Sequence, residues 1–280
     1  MTIREALAAG KAKLAVAGVE NPALDASLLL AEVLGISRSA LLVAAGDSPG
    51  EKSLAVFNEF IERRIAGECV AYILGKKEFY GLEFLVNPGV LVPRPDTETL
   101  VEAALSRLPG EGRMLDLCTG SGAVAIAVKH QMPGVEVWAT DISPGALETA
   151  EVNAGRLLPP GSIRFFRGNL FRALPDERPR FDLIVGNPPY VPTGEIPGLS
   201  PEVRAEPVLA LDGGIDGLDL IRDIVRQSPG FLCPGGSLML EADPRQMPGI
   251  AALFENAGFA ELRMHRDLSG RDRVIEGGKP

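Results

Sequence analysis

From residue 113 onward, short apolar segments alternate with longer segments of helical periodicity, and this alternation constrains the fold more than any other feature. Parallel strands need long crossover connections, so strands of about five residues separated by helices predict a doubly wound, mostly parallel α/β sheet. The last two strands are close enough in sequence to pair antiparallel at one edge. Seven strands are predicted, at residues 113–118, 135–139, 163–166, 181–185, 237–241, 259–265 and 271–276.

The first 75 residues lack this alternation and carry the start and stop signals of helices. Thr2 and Glu5 fit a capping box. Asn21 with Pro22 fits a helix start, and Gly35 fits the stop of that helix. The next segment, KKEFYGLEFLVNPGVLV, is rich in aromatic and β-branched residues and predicts a β-hairpin. The predicted parts are therefore a small helical bundle, a hairpin linker and the α/β domain, at residues 1–75, 76–92 and 93–280.

Composition and charge exclude several classes of protein. Lys and Arg number 28 against 37 Asp and Glu, and the resulting net charge of −9 repels a polyanion, so direct DNA binding is not expected. The N-terminus is amphipathic, and apolar runs fall short of the roughly 18 residues of a membrane span, so we expect a cytoplasmic protein without membrane association. Three widely separated cysteines and two histidines predict neither a disulfide framework nor a metal site.

The first strand of the α/β domain ends in a glycine-rich turn, LDLCTGSGAVAIAV. Glycines let the backbone pass close to a ligand, and the start of the next helix offers unpaired N–H groups to a polar or anionic group. Gly120, Gly122 and Ala125 also satisfy a loose GxGxxA pattern. The loop alone is therefore compatible with a dinucleotide, with S-adenosylmethionine or with a plain tight turn.

Polar residues also follow the next two strands. Asp141 ends the second strand, at the distance where a carboxylate can accept from both hydroxyls of a ribose. Its alternative role is to cap the helix that begins at Ser143 and Pro144. After the third strand, Asn169 can hydrogen-bond to an adenine edge, and Leu170 can lie on the face of that base.

The fourth strand, FDLIVG, ends in Asn187-Pro188-Pro189-Tyr190, the most specific motif of the chain. Two consecutive prolines remove two backbone donors and fix an extended backbone. The side-chain carbonyl of Asn187 and the backbone carbonyl of Pro188 can then accept from one NH₂ group, while Tyr190 covers a planar group. A turn with a buried tyrosine is the structural alternative.

In this order, DLCTGSG, Asp141 and NPPY resemble the class I S-adenosylmethionine-dependent methyltransferases that modify planar amide or amino nitrogens. Three further features narrow the resemblance: VLVPRPDTE at 90–98, EPVLALDGGIDGLDLI at 206–221, and the helical domain followed by a hairpin. Together these features resemble the peptide chain release factor glutamine methyltransferase family over essentially the whole chain. The resemblance implies the class I methyltransferase fold.

It also implies methyl transfer from S-adenosylmethionine to the side-chain amide of the glutamine in the Gly-Gly-Gln loop of release factors. The implied catalytic and substrate-binding residues are Asn187, Pro188, Pro189 and Tyr190. The cofactor contacts expected from the motifs and the resemblance together are Cys118, Thr119, Gly120, Ser121, Gly122, Asp141, Asn169, Leu170 and Asn187. The chain departs from the family pattern where Cys118 replaces a commoner Gly, Asn169 a common Asp, and Ala242-Asp243 a usual Gly.

Other functions remain open at this point. NPPY also serves the exocyclic amines of flipped bases, so an N6-adenine or N2-guanine nucleic-acid methyltransferase is one alternative, which the charge disfavours. A methyltransferase for a ribosomal protein's glutamine is a second, and a non-catalytic adaptor is a third. We expect a monomer that acts on release factors, with the helical domain docking the substrate protein because a single glutamine offers little surface for selection.

Overall fold

The computed structural model describes residues 1–177 and 179–280. Its α-helices are, in chain order, α1 (Ile3–Val16), α2 (Pro22–Leu34), α3 (Arg38–Val43), α4 (Glu51–Ile65), α5 (Val70–Leu74), α6 (Glu98–Arg107), α7 (Ala123–Gln131), α8 (Pro144–Leu157), α9 (Pro201–Arg204), α10 (Asp219–Gln227) and α11 (Met247–Asn256). Its strands are β1 (Lys76–Phe79), β2 (Leu82–Leu85), β3 (Arg113–Leu117), β4 (Glu136–Asp141), β5 (Ile163–Arg167), β6 (Phe181–Gly186), β7 (Leu232–Glu241), β8 (Ala260–Arg266) and β9 (Asp272–Gly278).

Two compact units divide the chain. One unit contains Met1–Lys76 and the short segment Ser200–Ala205, and the other contains Lys77–Leu199 and Glu206–Pro280. We call them the helical unit and the sheet unit. The sequence gives no sign that residues 200–205 group with the N-terminal helices, because this contact joins segments that are far apart in the chain.

The helical unit is built from α1 to α5 and α9. Thr2 and Glu5 form the predicted capping box, and Gly35 ends α2 in the left-handed conformation with φ 64°. The side chain of Asn21 makes no capping hydrogen bond, although Pro22 does occupy the first turn. Helices α3 and α5 were not predicted, because five or six residues are too few to show a helical period.

A buried ion cluster also stabilises the helical unit. Arg64 is 5% exposed, and its Nε donates to Asp25 Oδ2 at 2.7 Å. The same guanidinium pairs with Glu202 of α9. Because a buried charge needs partners, the ion pairs of Arg64 with Asp25 and Glu202 stabilise the contact of residues 200–205 with the N-terminal helices.

The sheet unit contains a seven-stranded sheet in the order β5-β4-β3-β6-β7-β9-β8. Strands β3 to β7 are parallel, whereas β9 runs antiparallel to both β7 and β8. The predicted doubly wound sheet and its antiparallel edge pair are thus confirmed. The strand order reverses between β3 and β6, and open α/β sheets bind ligands at the carboxyl ends of such strands.

Two apolar clusters cover the two faces of this sheet. Met114, Leu183 and Met239 belong to one cluster with helices α6 and α7, and their neighbours Leu115 and Ile184 belong to the other with α10 and α11. Successive side chains of a strand point to opposite faces, so this alternation places helices on both sides. The site at the strand ends is therefore supported by a sheet that carries helices on both faces.

The hairpin of β1 and β2 packs within the sheet unit. Asn153 of α8 is fully buried, and its side chain accepts from Leu85 N at 2.7 Å and donates to Leu85 O at 3.0 Å. The same Nδ2 donates to Ser121 O at 3.0 Å. One amide side chain thus connects the hairpin to the glycine-rich loop.

Across the two described stretches of the chain, every helix is too short or too polar to cross a lipid bilayer.

Candidate active site

The turn after β3 is the glycine-rich loop. Cys118, Gly120 and Gly122 have positive φ angles of 57°, 57° and 82°, a region that glycine adopts freely and other residues adopt at a steric cost. A Cβ atom at position 122 would lie 3.1 Å from Ala150 Cβ and 2.9 Å from Ile126 Cδ1. Gly122 therefore allows α8 to pack closely against the start of α7.

Asp116 stabilises this loop from inside the sheet. Its Oδ2 accepts a hydrogen bond of 2.6 Å from Thr119 Oγ1, and the backbone N–H of Ala125 also donates to the carboxyl group. The side chain is buried, and burial raises its pKa to about 7. The loop is thus held by a residue two positions before its first residue, Cys118.

Asp141 connects the ends of β3 and β4. Its Oδ2 accepts from Gly120 N at 2.9 Å, and its Oδ1 accepts from Ser143 N at 2.9 Å. Burial raises the pKa of this carboxyl group, and the backbone N–H groups oppose that rise. The cap of α8 is Ser143, whose Oγ accepts from Ala146 N. Capping α8 is therefore not the role of the Asp141 side chain.

A cavity of about 180 Å³ lies among the residues that directly follow β3, β4, β5 and β6, and we call it the large cavity. Several of the residues that line it were predicted to contact a ligand. The predicted residues that line it are Cys118, Gly120, Asp141, Asn169, Leu170, Asn187 and Pro189. Lining residues that were not predicted include Val90, Leu91, Thr140, Pro207 and Leu209.

A smaller cavity of about 50 Å³ shares Cys118, Gly120 and Asn187 with the large cavity. The predicted contacts Thr119 and Ser121 line only this smaller cavity, beside Arg94, Thr97 and Asp116. Asn187 therefore lies where two spaces meet. Three predicted site residues line neither cavity: Gly122, Pro188 and Tyr190.

The NPPY segment is held by the distant loop of residues 206–219. Val191 N donates to Leu211 O, and Gly213 N donates to Val191 O, both at 2.9 Å. A Cβ atom at Gly217 would lie 2.2 Å from Tyr190 O, so only glycine fits there. The strings at 90–98 and 206–221 thus have a structural role beside the site.

Those two strings are also joined by a buried carboxylate. Glu206 is 3% exposed, accepts from Val92 N at 3.2 Å and forms an ion pair with Arg94. Burial raises the pKa of Glu206, while Arg94 and the Val92 N–H favour its ionised form. The pair connects the entry to α6 with the loop that supports NPPY.

Behind Asn187 lies a polar pair that the sequence did not reveal. Asn187 Nδ2 donates to Thr97 Oγ1 at 3.2 Å. Asp96 and Thr97 are residue types favoured just before a helix, so the sequence predicts that one of them caps α6, but the side chain of Thr97 makes no capping hydrogen bond. Both Thr97 and Asn187 interact with the carboxyl group of Glu241 at the end of β7, and Asp96 pairs instead with Arg273.

Tyr190 is partly buried and packs against the cluster that contains Leu115 and Ile184. Burial raises its pKa, and Glu241 strengthens that effect. Its backbone oxygen accepts from Gln246 Nε2 at 2.9 Å. The contact of its ring with a planar substrate group stays a prediction.

Sequence reasoning missed Thr97, Thr140 and Glu241. Thr140 and Glu241 lie at or next to the end of a strand, and that position was the available signal. Thr97 had a competing interpretation as a cap. A search for polar residues at every predicted strand end would have found two of the three.

The site can hold a nucleotide-like group beside a hydrogen-bond acceptor. Asp141, Cys118 and Gly120 line the large cavity, and Asn187 lines both cavities. Within the described parts of the chain, no group donates to Asn187 Oδ1, so this oxygen is available to an NH₂ group.

Comparisons with known proteins agree on one family. Residues 5–75 match the model described as the PrmC N-terminal domain, and residues 84–197 match the methyltransferase small domain. The release factor glutamine methyltransferase of Geobacter sulfurreducens is 43% identical over 277 residues, which cover 99% of this chain and 96% of that protein. That of Deinococcus radiodurans is 42% identical over 278 residues, 98% of each.

Solved structures support the fold. A methyltransferase from Pyrococcus furiosus aligns with a TM-score of 0.54 and 18% identity over 72% of this chain and 91% of that chain. The Thermus thermophilus 16S rRNA N2 G1207 methyltransferase, in complex with AdoMet and guanosine, aligns with a TM-score of 0.53 and 22% identity over 73% of this chain and 50% of that one. These likenesses concern the class I methyltransferase fold alone.

Proposed function

This chain belongs to the release factor glutamine methyltransferase family, and from that membership and the site we propose that it methylates the glutamine of the Gly-Gly-Gln loop of peptide chain release factors. The methyl group comes from S-adenosylmethionine, and the acceptor is the side-chain amide nitrogen (N5). The main support for the proposal is the position of Asn187, which lines both cavities.

The large cavity fits S-adenosylmethionine by the chemistry of its walls. Thr140 is 1% exposed and lines the cavity, and among the described residues its Oγ1 has no hydrogen-bond partner. A buried polar atom without a partner costs free energy unless a ligand or water satisfies it. Asp141 would hold the ribose hydroxyls, Asn169 and Leu170 the adenine, and the loop from Cys118 to Gly122 the remainder. When bound, the cofactor supplies an electrophilic methyl group.

The protein's task is then to orient a poor nucleophile. The nitrogen of an amide is weakly nucleophilic because its lone pair is delocalised into the carbonyl group. Asn187 Oδ1 and the carbonyl of Pro188 would accept from the two N–H bonds and direct the nitrogen toward the methyl group. Orientation of this kind can supply several of the about 7–11 kcal/mol found in well-placed intramolecular reactions. One methyl group is added, and one proton is released to water.

The helical unit is proposed to select the protein substrate. The predicted catalytic and cofactor residues all belong to the sheet unit, and a glutamine side chain alone gives little surface for discrimination. Leu42 and Val43, at the end of α3, are 77% and 91% exposed. Replacing both by Ser should raise KM for a whole release factor about 10-fold, as expected for an apolar contact worth roughly 1.4 kcal/mol. The rate on a Gly-Gly-Gln peptide should stay the same.

Incubation with labelled S-adenosylmethionine tests the function directly. The mixture should contain a purified release factor, a ribosomal protein fraction and a nucleic-acid fraction, and the labelled peptide is then mapped by mass spectrometry. A single added methyl group on the glutamine of Gly-Gly-Gln is the expected result. Label on nucleic acid or on a ribosomal protein instead would overturn the proposal.

A further inference from the structure

The carboxamide of Asn187 can face the cavities in two ways, and only one of them presents an acceptor to an amide NH₂. The two orientations exchange the oxygen and nitrogen and are nearly equal in shape. The proposed role of Asn187 therefore needs something in the protein that distinguishes them. The groups behind Asn187 supply this distinction.

Glu241 is 1% exposed and lies at the carboxyl end of β7. Strands β6 and β7 pair with Gly186 opposite Leu240, which places Glu241 beside Asn187. The side chains of Thr97 and Asn187 favour the ionised form of Glu241. An ionised carboxylate only accepts hydrogen bonds. The Thr97 hydroxyl can therefore donate to Glu241 while its oxygen accepts from Asn187 Nδ2, which lies 3.2 Å away.

These donors and acceptors fit together in one direction only. If the carboxamide of Asn187 were reversed, its oxygen would face the carboxylate, and Thr97 could not donate to both groups with one proton. Oε2 of Glu241 already has no hydrogen-bond partner in the described parts of the chain, so the pocket is rich in acceptors. The ionised carboxylate thus favours the NH₂ group of Asn187 on its side and Oδ1 toward the cavities.

Glu241 itself does not reach the proposed substrate. It lines neither cavity, whereas Asn187 lines both and Thr97 lines the smaller one. Direct proton transfer between Glu241 and an amide held in these cavities is therefore not supported by its place. Glu241 can act on the substrate only through the side chains of Asn187 and Thr97, which line the cavities.

We propose that Glu241, with Thr97, is a positioning residue that fixes the orientation of the Asn187 carboxamide so that Oδ1 accepts from the substrate amide. The proposal rests on the function proposed above for Asn187 and adds the protein's means of controlling it. An ionised Glu241 stabilises the productive orientation of the Asn187 carboxamide. A neutral Glu241 can donate a hydrogen bond to Asn187 Oδ1 and so stabilise the reversed orientation.

The surroundings of Glu241 make this control sensitive to pH. Burial raises its pKa to about 7, and Asp96 acts in the same direction. Arg273 on β9, Thr97 and Asn187 oppose the rise, and Tyr190 of the NPPY segment faces the same group. Since the ionised form is the productive one, kcat should fall as pH decreases through about 7.

Stability should change with pH in the opposite direction. Between the ordinary pKa of a glutamate and the raised value near 7, the folded chain binds more protons at Glu241 than the unfolded chain does. The free energy of unfolding contributed by this group is therefore greatest at low pH and is lost as pH rises toward 7. Removing the charge should stabilise the protein at pH 8.

Glu241→Gln tests the proposal because an amide can satisfy either orientation of Asn187. At pH 8 we expect kcat to fall about 2-fold or more, because two orientations of equal free energy leave half of the molecules productive, with the Kd for S-adenosylmethionine changed less than 2-fold. Tm should rise by a few degrees at pH 8, rise by less at pH 5.5, and match the parent protein only below about pH 4.5, where Glu241 is neutral in both the folded and the unfolded chain. The decrease of kcat below pH 7 that depends on Glu241 should disappear.

Glu276→Gln is the matched control. Glu276 is a buried glutamate of the neighbouring strand β9 and pairs with His265 and Arg107, away from both cavities. Because its pKa is lowered by these partners, its replacement should lower Tm at pH 8 and leave kcat unchanged. A glutamate that acts through stability alone would behave in this way.

Thr97→Val and Thr97→Ser provide a second test that does not alter the buried charge. Valine should reduce kcat about 10-fold or more, the loss expected when one orienting hydrogen bond is removed, and serine should restore most of it. Parent-like kcat in Glu241→Gln, or equal rates for the valine and serine variants, would overturn the positioning role. Parent-like kcat in Asn187→Ala would instead overturn the proposed function of Asn187, so the two failures are distinguishable.

Discussion

The glycine-rich loop and the NPPY segment follow neighbouring strands, β3 and β6, but different parts of the chain stabilise them. The loop is held by Asp116, within its own strand, and by Asp141, about 20 residues further on. Gly213 and Gly217 support the NPPY segment from a similar distance along the chain, but Asn187 also interacts with Thr97, 90 residues earlier, and with Glu241 of β7. One site therefore combines a locally encoded half and a half that requires the whole sheet unit to fold.

This difference separates binding of the cofactor from orientation of the acceptor. Changes that remove a hydrogen bond to the cofactor should alter affinity for S-adenosylmethionine, and changes in the support of NPPY should alter turnover. Four substitutions distinguish these roles, with expected effects that decrease from Asn187 to Cys118.

Asn187→Ala should reduce kcat about 10²–10³-fold, the range found when one preorganised hydrogen-bonding group is removed from an active site. The reason is the loss of the acceptor at the meeting of the two cavities. Calorimetry should find the Kd for S-adenosylmethionine within a few-fold of the parent value. A large loss of affinity with normal kcat would assign Asn187 to the cofactor half.

Gly217→Ala should lower the free energy of unfolding by about 2–4 kcal/mol, the combined cost of a strained positive φ and an overpacked contact. Its φ is 77°, and the new Cβ atom would lie 2.2 Å from Tyr190 O. Turnover should fall with it, since NPPY must shift. Gly194→Ala is the control, because a Cβ atom there meets nothing within 4 Å. Equal urea unfolding curves for the two variants would contradict the role of the 206–219 loop.

Asp141→Ala should weaken binding of S-adenosylmethionine by about 1–3 kcal/mol, the cost of losing charge-assisted hydrogen bonds. At saturating cofactor, kcat should remain close to the parent value. Titration calorimetry with single-turnover rates separates the two quantities. Unchanged affinity would restrict Asp141 to its hydrogen bonds with Gly120 and Ser143.

Cys118→Gly should change the free energy of unfolding by less than about 1 kcal/mol, because relief of the positive φ is offset by greater chain entropy and lost packing. Burial raises the pKa of this thiol, so no charge is removed. Cofactor affinity should be unchanged, since the backbone N–H is retained. A 10-fold loss of affinity would show that the sulfur contacts the ligand.

The sequence predicted the half of the site that depends on local geometry. The glycine pattern and the two prolines act within a few residues. Asp141 was recognised by its position at a strand end, and the strand pattern placed all of them at one edge of the sheet. The pairing of Asn187 with Thr97 and Glu241 was not predictable, because it depends on β7 lying next to β6 and on how α6 begins. Thr97 is an example, because the sequence around it predicted a helix cap, whereas its side chain accepts a hydrogen bond from Asn187.

The side chain of Asn153 couples local unfolding of the hairpin to local unfolding of the glycine-rich loop. Its amide contacts Leu85 on one side and Ser121 O on the other, so local opening of β2 removes one support of the loop. A ligand that binds only the closed loop would make this opening less frequent by the free energy of its own binding. Hydrogen exchange at the Leu85 amide should then report how fully the cofactor site is occupied, although this amide lies on the hairpin that precedes the site in sequence.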